Sequence, residues 1–281
     1  MPILNKDMQV CISLAARPSN LGTRFHNYLY DELGLNFIYK AFTTADLDGA
    51  VRGIRALNFR GCSVSMPFKE AIIEFVDVMA PSALAIESVN TIVNDNGVLT
   101  ASNTDFEAVL NLLRERQIDT SLAVLLRGSG GMAKAVVAAF KSAGFTNLTV
   151  VARNAAAGSE LATKYGYKFL PESALADLAN QPEAGGFKVL ANVTPIGMQG
   201  PNAAELAFDS WLVSAAEVVV DVVAFPAETP LVKLATELGK TIISGAEVIA
   251  LQAALQFEAY TGIRLTADQV RRASEFSRLP A

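Results

Sequence analysis

The stretch from residue 122 to residue 144, LAVLLRGSGGMAKAVVAAFKSAG, restricts the possible folds more than any other part of the chain. Its first five residues form a continuous apolar run, which is typical of a parallel strand that is covered on both faces. A glycine-rich turn and a helical pattern follow, in which Gly128, Gly130 and Ala133 match Gly-x-Gly-x-x-Gly/Ala. This spacing permits a tight turn, lets the backbone approach a pyrophosphate and lets the helix pack closely on the strand. The stretch therefore predicts a strand–turn–helix unit that binds a dinucleotide at the N-terminus of the helix.

The residue that follows the next strand bears on which dinucleotide is bound. The apolar run LTVV leads into ARN, so Arg153 stands where a carboxylate would bind the ribose 2′-hydroxyl of NAD. A guanidinium instead suits the 2′-phosphate of NADP, because it offers forked, charge-assisted hydrogen bonds. We therefore predict NADP as the cofactor. The alternatives are an arginine that is only solvated and a glycine-rich turn that holds no ligand.

Strands and helices alternate on both sides of this unit. After it, LTVVA, KFL, KVLAN and VVVDVV are predicted strands with helical segments between them, which indicates right-handed crossovers and a doubly wound parallel sheet. Before it, QVCISL, NFIYKAF and GCSVS are predicted strands, a helix is expected from about Thr23 to Gly34, and Asn96-Gly97 predicts a hairpin. The chain is therefore expected to be α/β, with the two domains that 281 residues favour.

Composition excludes several classes of function. The net charge is −5 without a basic cluster, so nucleic acid is not expected as a partner. The start, MPILNKDMQV, lacks the charged and apolar regions of a signal peptide, and no apolar run approaches the ~18 residues of a membrane span. Cys11, Cys62 and the single histidine His26 lack metal-ligand spacing, so no metal is expected. A cytoplasmic protein that binds small molecules is the prediction.

Two residues ahead of the dinucleotide unit are candidates for the proton transfer that accompanies hydride transfer. In SVSMPFKEA, Pro67 is expected to be the first residue of a helix that continues through Val76, which places Lys69 in the first turn. A helix N-terminus disfavours an ammonium, so Lys69 is either a solvated lysine or an amine poised as a general base. Asp105 precedes another helical pattern and is either its N-cap or an acid–base group. Spacing alone leaves both alternatives open.

Eight segments of the chain, taken in order, resemble the shikimate dehydrogenase family. They are SMPFKE (65–70), ESVNTIV (87–93), NTD (103–105), GSGGMAKA (128–135), ARN (152–154), NVTPIGM (192–198), DVVAFPAETPL (221–231) and GAEVIALQAALQFEAYTG (245–262). The resemblance implies a substrate-binding domain of residues 1–105, completed by C-terminal helices within 244–281, and an inserted NADP-binding Rossmann domain of residues 106–243. It also implies reversible reduction of 3-dehydroshikimate to shikimate with NADPH.

The same resemblance assigns roles to individual residues. Lys69 and Asp105 would form the catalytic pair that handles the hydroxyl proton while a hydride moves to or from the nicotinamide. Substrate-hydroxyl ligands are matched by Asn90, Asn103 and Gln252, and Ser65 stands where a threonine is usual. Cofactor contacts are matched by Gly128, Ser129, Gly130, Gly131, Met132, Ala133, Arg153, Asn154, Thr194, Met198 and Gly245.

The residues that would bind the substrate carboxylate depart from the family. The family usually carries Ser-x-Ser six residues before a His-Asn pair, and here Asn20 and Gly22 occupy the two serine positions. Ser63 replaces a usual asparagine, and Ala224 replaces a usual tyrosine. Losing several hydrogen bonds of about 1 kcal/mol each would weaken shikimate binding by orders of magnitude. Residues near the first helix that could hold an anion instead are Arg17, Ser19, Asn20, Thr23 and Arg24.

We therefore predict an NADP-dependent dehydrogenase, a monomer or a homodimer, that acts on shikimate and 3-dehydroshikimate or on a related cyclic hydroxy acid. The first alternative is a nicotinamide-binding sensor or regulatory paralogue with little turnover. The others are a quinate/shikimate dehydrogenase and a two-domain amino- or hydroxy-acid dehydrogenase of another family. His26 lies inside the first predicted helix and is expected to be structural.

Overall fold

The protein is described by a computed structural model in which residues 4–178 and 186–279 are defined. The chain divides into two compact units. Unit 1 comprises Met1–Thr104 together with Ala250–Ala281, and unit 2 comprises Asp105–Ile249. The predicted domain boundaries lay at 105/106 and 243/244. The second boundary of the structure therefore falls several residues later than predicted, inside a helix rather than at its start.

The strands within the described ranges form two sheets of six strands each. In chain order they are β1 (Gln9–Leu14), β2 (Phe37–Phe42), β3 (Gly61–Val64), β4 (Val78–Met79), β5 (Thr91–Asp95), β6 (Val98–Ser102), β7 (Ala123–Arg127), β8 (Leu148–Ala152), β9 (Lys168–Pro171), β10 (Phe187–Asn192), β11 (Val218–Asp221) and β12 (Thr241–Ser244). The first sheet lies in unit 1 and the second in unit 2.

The helices in the described part of the chain are, in order, α1 (Asn20–Glu32), α2 (Leu47–Ala56), α3 (Phe68–Ala71), α4 (Pro81–Ile86), α5 (Thr104–Glu115), α6 (Gly131–Ala143), α7 (Ala155–Tyr165), α8 (Leu175–Leu178), α9 (Ser210–Ala215), α10 (Pro230–Glu237), α11 (Gly245–Thr261) and α12 (Ala267–Arg278). Two 3₁₀ helices, Ile72–Phe75 and Glu172–Ala174, lie among them. Among these described helices, none combines the length and the apolar character that crossing a membrane requires.

The sheet of unit 1 is mixed, with the strand order β2-β1-β3-β5-β6-β4. The first three strands in this order are parallel, and β5 pairs antiparallel with both β3 and β6. The predicted strand 9–14 is confirmed, as is the hairpin at Asn96 and Gly97, whose φ angles of 54° and 93° suit a tight hairpin turn. Ile12 and Leu14 of one sheet face pack with α2, and Cys11 and Tyr39 pack with α1 and α11 in a separate core cluster.

Helix α3 is much shorter than the apolar pattern predicted. Pro67 is the residue before the helix rather than its first residue, and the backbone turns to 3₁₀ at Ile72 and becomes extended at Val76. The apolar residues that suggested a long helix are Ile72, Ile73, Phe75 and Val76. They pack into the core of unit 1 from the 3₁₀ turn and the extended residue that lead to β4. A single helical turn aligns few peptide dipoles, so its N-terminus disfavours the Lys69 ammonium much less than the predicted longer helix would.

The sheet of unit 2 is parallel throughout, with the order β12-β11-β10-β7-β8-β9. This is a doubly wound sheet, and its strand order reverses between β7 and β10. The predicted fold class is therefore confirmed. The sequence pattern did not single out β12, whose four residues TIIS are too short to show a periodicity. The carboxyl ends of β7 and β10 lie side by side, where such sheets bind ligands.

Candidate active site

A cavity of about 300 Å³ opens at the carboxyl ends of β7, β8, β9 and β10 in unit 2. It lies where the strand order of the sheet reverses, and four loops contribute to its wall. The lining residues are Arg127, Gly128, Ser129, Gly130, Ala152, Arg153, Asn154, Glu172, Val193, Thr194, Pro195, Ile196 and Asn202. The predicted cofactor residues among them are Gly128, Ser129, Gly130, Arg153, Asn154 and Thr194.

The glycines of the turn between β7 and α6 meet two different requirements. Gly128 has a φ of +126°, and a Cβ there would lie 2.8 Å from Val193 Cγ2 and 2.9 Å from the Val193 carbonyl oxygen. Gly130 and Gly131 instead face open space, because an added Cβ would meet no atom within 4 Å. No side chain caps the N-terminus of α6. The turn therefore offers room and backbone N–H groups to a pyrophosphate, and the residues present fit a dinucleotide.

The part of this cavity at the ends of β8 and β9 contains both positive and negative charge. Arg153 lines the cavity directly after β8, and Asn154 caps α7 by accepting a hydrogen bond of 3.2 Å from the Ala157 N–H. Glu172, which follows β9, also lines the cavity and accepts hydrogen bonds from Arg127. Sequence reasoning missed both Arg127 and Glu172, because no motif joins residues that are 45 positions apart.

The other predicted cofactor residues lie outside the lining of this cavity. Gly131, Met132 and Ala133 form the first turn of α6, and Met198 is 46% exposed in a turn after β10. Gly245 begins α11 within a tight contact, since a Cβ there would lie 2.1 Å from the Val223 carbonyl oxygen. The glycine at 245 is therefore explained by close packing of backbone on backbone.

A buried polar cluster holds the loops that follow β10 and β11. The Asp221 carboxylate accepts hydrogen bonds from Asn192 Nδ2 (3.1 Å), the Val223 N–H (3.2 Å) and the Thr229 hydroxyl (2.5 Å). Asn192 Oδ1 in turn accepts a hydrogen bond of 2.6 Å from the Thr194 hydroxyl. Burial raises the pKa of the Asp221 carboxyl, and its hydrogen bonds act in the opposite sense. The cluster fixes the cavity wall at Thr194.

In unit 1, Asn90 lies at the centre of a second polar cluster. Its Oδ1 accepts hydrogen bonds of 2.8 Å from the Thr104 N–H and from the Thr91 hydroxyl. These two donors orient the amide, since an oxygen is needed to receive them. Asn90 Nδ2 makes no hydrogen bond to any residue of the described ranges, so it is available as a donor to a ligand. The predicted ligand Gln252 joins this cluster, because its Oε1 lies 3.4 Å from the Thr104 hydroxyl.

Gln256 is a member of the same cluster that sequence reasoning missed. It is 5% exposed, and its Nε2 donates to the Asn90 carbonyl oxygen at 3.2 Å and to the Thr91 hydroxyl at 3.1 Å. Gln252 and Gln256 are four residues apart in a largely apolar helix, a spacing that places both on one face. That spacing was the signal that could have identified Gln256.

Ser63 points into the interior of unit 1. Its Oγ accepts a hydrogen bond of 2.8 Å from the Tyr39 hydroxyl, donates to Gln256 Oε1 at 3.0 Å, and lies 3.0 Å from the Tyr260 hydroxyl. Burial raises the pKa of the Tyr39 phenol, which is therefore neutral. A Cβ added at Gly22 would lie 3.4 Å from the Tyr39 hydroxyl. A side chain at position 22 would therefore be in ordinary contact with Tyr39.

The remaining predicted site residues occupy separate places. Asn103 is buried, and its Nδ2 donates to the Ser88 carbonyl oxygen at 2.9 Å. Ser65 is exposed just after β3, and Asn20 is exposed as the first residue of α1, which begins three residues earlier than predicted. Lys69 is half-buried on α3. Asp105, also half-buried, is the second residue of α5 and not its N-cap, which excludes the capping alternative.

His26 lies inside an aromatic cluster in unit 1. It is fully buried, and its ring stacks on Tyr39 with centroids 4.5 Å apart and an interplanar angle of 8°. Neither imidazole nitrogen has a hydrogen-bond partner in the described part of the chain. Burial lowers the pKa of His26 to about 3. The imidazole is therefore neutral at physiological pH, and it packs rather than transfers protons.

Comparison with known proteins identifies relatives across the whole chain. The family model described as "Shikimate dehydrogenase substrate binding domain" matches residues 19–92. A shikimate dehydrogenase-like protein of Haemophilus influenzae is 52% identical over 98% of this chain and 99% of its own length.

Solved structures give the same result. The structure of a shikimate 5-dehydrogenase-like protein superposes with a TM-score of 0.93 at 52% identity, over 99% of this chain and 100% of the other. Shikimate 5-dehydrogenase from Thermus thermophilus, in complex with NADP(H) and shikimate, superposes with a TM-score of 0.82 at 27% identity, over 96% of this chain and 100% of the other. The chain belongs to the shikimate dehydrogenase family.

Proposed function

We propose that this chain is an NADP-dependent dehydrogenase that interconverts a ring hydroxyl and a ketone on shikimate or on a related cyclic hydroxy acid. The observation that carries the proposal is the cavity of unit 2, where an open glycine turn and Arg153 line one wall. Such a site suits a dinucleotide with a 2′-phosphate. The Thermus thermophilus relative, whose structure contains NADP(H) and shikimate, supports the same assignment.

The chemistry divides between the cofactor and the side chains of the chain. When bound, NADP would accept a hydride from the carbon that bears the hydroxyl, and its reduced form would return the hydride. Lys69 would take the hydroxyl proton during oxidation and give it back during reduction. Asp105 would orient the Lys69 amine and balance its charge. In oxidation, the alcohol thus loses one hydride and one proton and becomes a ketone.

Substrate hydroxyls would be bound by amides of unit 1. Asn90 is the best oriented of them, because two hydrogen bonds to its Oδ1 direct its Nδ2 toward a ligand. Gln252 is linked to it through Thr104, and Asn103 and Ser65 are further proposed ligands. These groups are neutral hydrogen-bonding groups, so they suit the hydroxyls of a ring better than a charged substituent.

The residues expected to bind the acid group of the substrate differ from those of the family more than the residues expected to bind its hydroxyls do. Asn20 and Gly22 replace the two serines of the family, and Ser63 is bonded to Tyr39 and Gln256. A ligand that relies on those hydroxyls would bind weakly. We therefore extend the proposal from shikimate to other cyclic hydroxy acids, with Asn20 as a ligand of the acid group.

The test is the initial rate of NADP⁺ reduction with shikimate, quinate and a panel of cyclic hydroxy acids, repeated with NAD⁺. With the best substrate, Lys69→Ala is expected to lower kcat by a factor of about 10² to 10⁴, because general acid–base catalysis contributes that much. The Kd for NADP⁺ should not change. Lys233→Ala, which removes an exposed lysine of α10, is the control and should keep the wild-type rate.

Each other outcome selects a different function. A Lys69→Ala variant with the wild-type rate would refute the catalytic role of Lys69. A quinate rate well above all others would identify a quinate dehydrogenase. The loss of both family serines motivates the second candidate, a nicotinamide-binding sensor, and this candidate would gain support if NADP⁺ bound tightly but no substrate were oxidised.

A further inference from the structure

Arg127 is a cation in the cofactor cavity that the glycine motif does not include. It is the last residue of β7 and immediately precedes Gly128. Its Nε and Nη2 donate to Glu172 Oε1 at 3.0 and 2.6 Å, and its Nη1 donates to the Ala207 carbonyl oxygen. Three of its five N–H groups are used in this way, which leaves one on each terminal nitrogen for a ligand.

The position of Glu172 determines which half of a dinucleotide Arg127 would meet. Glu172 directly follows β9, which pairs with β8 on the side away from β7. In a doubly wound sheet, the adenosine ribose lies beyond the end of the second strand of the unit, which here is β8. The hydrogen bonds to Glu172 therefore hold the Arg127 guanidinium toward the end of β9, past the end of β8, which Arg153 follows.

The charges in the cavity favour an anion there. Two guanidinium groups, Arg127 and Arg153, and one carboxylate, Glu172, line it, which sums to a charge of +1. The Arg127 side chain is 17% exposed and that of Glu172 is 31% exposed. A second cavity, which Arg127 and Glu172 also line, is mostly apolar, with Leu175, Phe208 and Leu212 in its wall, and contains the polar residues Ser173 and Asp209. Low exposure strengthens both the ion pair and any charge-assisted bond that Arg127 makes to a ligand.

We propose that Arg127 is a second residue that determines cofactor specificity, donating hydrogen bonds to the 2′-phosphate of the adenosine ribose together with Arg153. Glu172 is its positioning residue, which holds the guanidinium in place through a single carboxylate oxygen. This inference rests on the proposed use of NADP and concerns how the cofactor is recognised.

The test is isothermal titration calorimetry of the full chain with NADP⁺ and with NAD⁺. Arg127→Met is expected to raise the Kd for NADP⁺ at least tenfold and to leave the Kd for NAD⁺ within twofold. Arg127→Lys should recover part of the loss, because it keeps the charge but not the fork. Glu172→Gln keeps an oxygen acceptor for Arg127 and removes a negative charge, so NADP⁺ should bind about threefold tighter, with NAD⁺ unchanged.

Arg114→Met is the matched control, because it removes one positive charge from an exposed position of α5 in the same unit. It should leave both constants unchanged. Equal losses for both dinucleotides in Arg127→Met would overturn the inference alone and assign Arg127 a structural role. If Arg127→Met does not fold, unchanged constants in Glu172→Gln and Arg127→Lys would overturn it. A wild-type chain that binds neither dinucleotide would overturn the proposed function as well.

Discussion

At the residue scale, buried polar groups in unit 1 fall into two kinds. The Ser63 hydroxyl both donates and accepts a hydrogen bond, and Asn90 Oδ1 accepts two. The two His26 ring nitrogens make no hydrogen bond to any of the described residues. An unmet buried polar group is costly, and the cost grows if the group becomes charged. His26 should therefore resist protonation strongly.

The single histidine makes this expectation directly measurable. We predict that the His26 Hε1–Cε1 NMR signal of the folded protein shows no titration between pH 7.5 and 5, because burial lowers its pKa to about 3. The same signal in urea should titrate with a midpoint near the unperturbed value of about 6.5. A midpoint near 6.5 in the folded protein would contradict the burial of the imidazole.

The lowered pKa of His26 also makes the free energy of unfolding depend on pH. Between about pH 6.5 and pH 3, unfolded chains bind a proton at His26 and folded chains do not. Acid therefore favours the unfolded state through this group, by about 1.4 kcal/mol per pH unit below 6.5. Above pH 6.5 the histidine contributes no pH dependence. In a pH series of urea unfolding below pH 6.5, the wild type should lose about 1.4 kcal/mol per pH unit more than His26→Phe, because the carboxyl groups contribute equally to both proteins.

At the element scale, the glycine turn between β7 and α6 offers a matched set of substitutions. Gly130→Ala is expected to leave the free energy of unfolding within about 0.5 kcal/mol, because its Cβ meets no atom within 4 Å. The methyl group would occupy space proposed for the pyrophosphate, so the Kd for NADP⁺ should rise at least tenfold. Urea unfolding and calorimetry measure the two quantities separately.

Two other glycines are the controls for that prediction. Gly128→Ala should lower the free energy of unfolding by about 2 kcal/mol or more, since its φ of +126° and its contact with Val193 both oppose a Cβ. Gly53→Ala, in the open face of α2, should be neutral or stabilising and should not change cofactor binding. Tight NADP⁺ binding by Gly130→Ala would show that the cofactor does not occupy the space above the turn.

Local elements were predictable where a pattern of neighbouring residues decides them. The strand Gln9–Leu14 and the hairpin at Asn96-Gly97 depend on contiguous apolar runs and on turn residues that accept positive φ. The capping box of α12, formed by Thr266 and Gln269, is local in the same way, because its two residues are three positions apart. Helix α3 was predicted too long, because apolar residues at helical spacing fit equally well into a short 3₁₀ turn.

At the scale of the whole molecule, the fold class and the family could be predicted, but several site residues could not. The order of motifs along the chain implies the doubly wound sheet that the structure has. The pair Arg127–Glu172 and the cluster around Asp221 form only because the sheet brings the ends of distant strands together. Neither has a signature in the sequence, because their partners are set by strand order and not by spacing.

The division into units leads to the last prediction. Unit 2 is one continuous segment, Asp105–Ile249, whereas unit 1 consists of two segments. Every residue that lines the cofactor cavity lies in unit 2, as does its sheet with its own apolar core. A segment with its own core can fold alone. We therefore expect a fragment of residues 105–249 to unfold cooperatively and to bind NADP⁺ with a Kd within about threefold of the full chain.

Circular dichroism melts with and without NADP⁺, followed by calorimetry on the fragment, would measure both properties. At 100 times its Kd the cofactor should stabilise the fragment by about 2.7 kcal/mol, which raises its Tm by several degrees. Gly130→Ala in the same fragment is the control, since it should fold and, with a Kd raised at least tenfold, lose about half of this shift or more. A fragment that folds but shows no shift would mean that residues of unit 1 are required to bind the cofactor. A fragment without a cooperative transition would mean that unit 2 is not an independent folding unit.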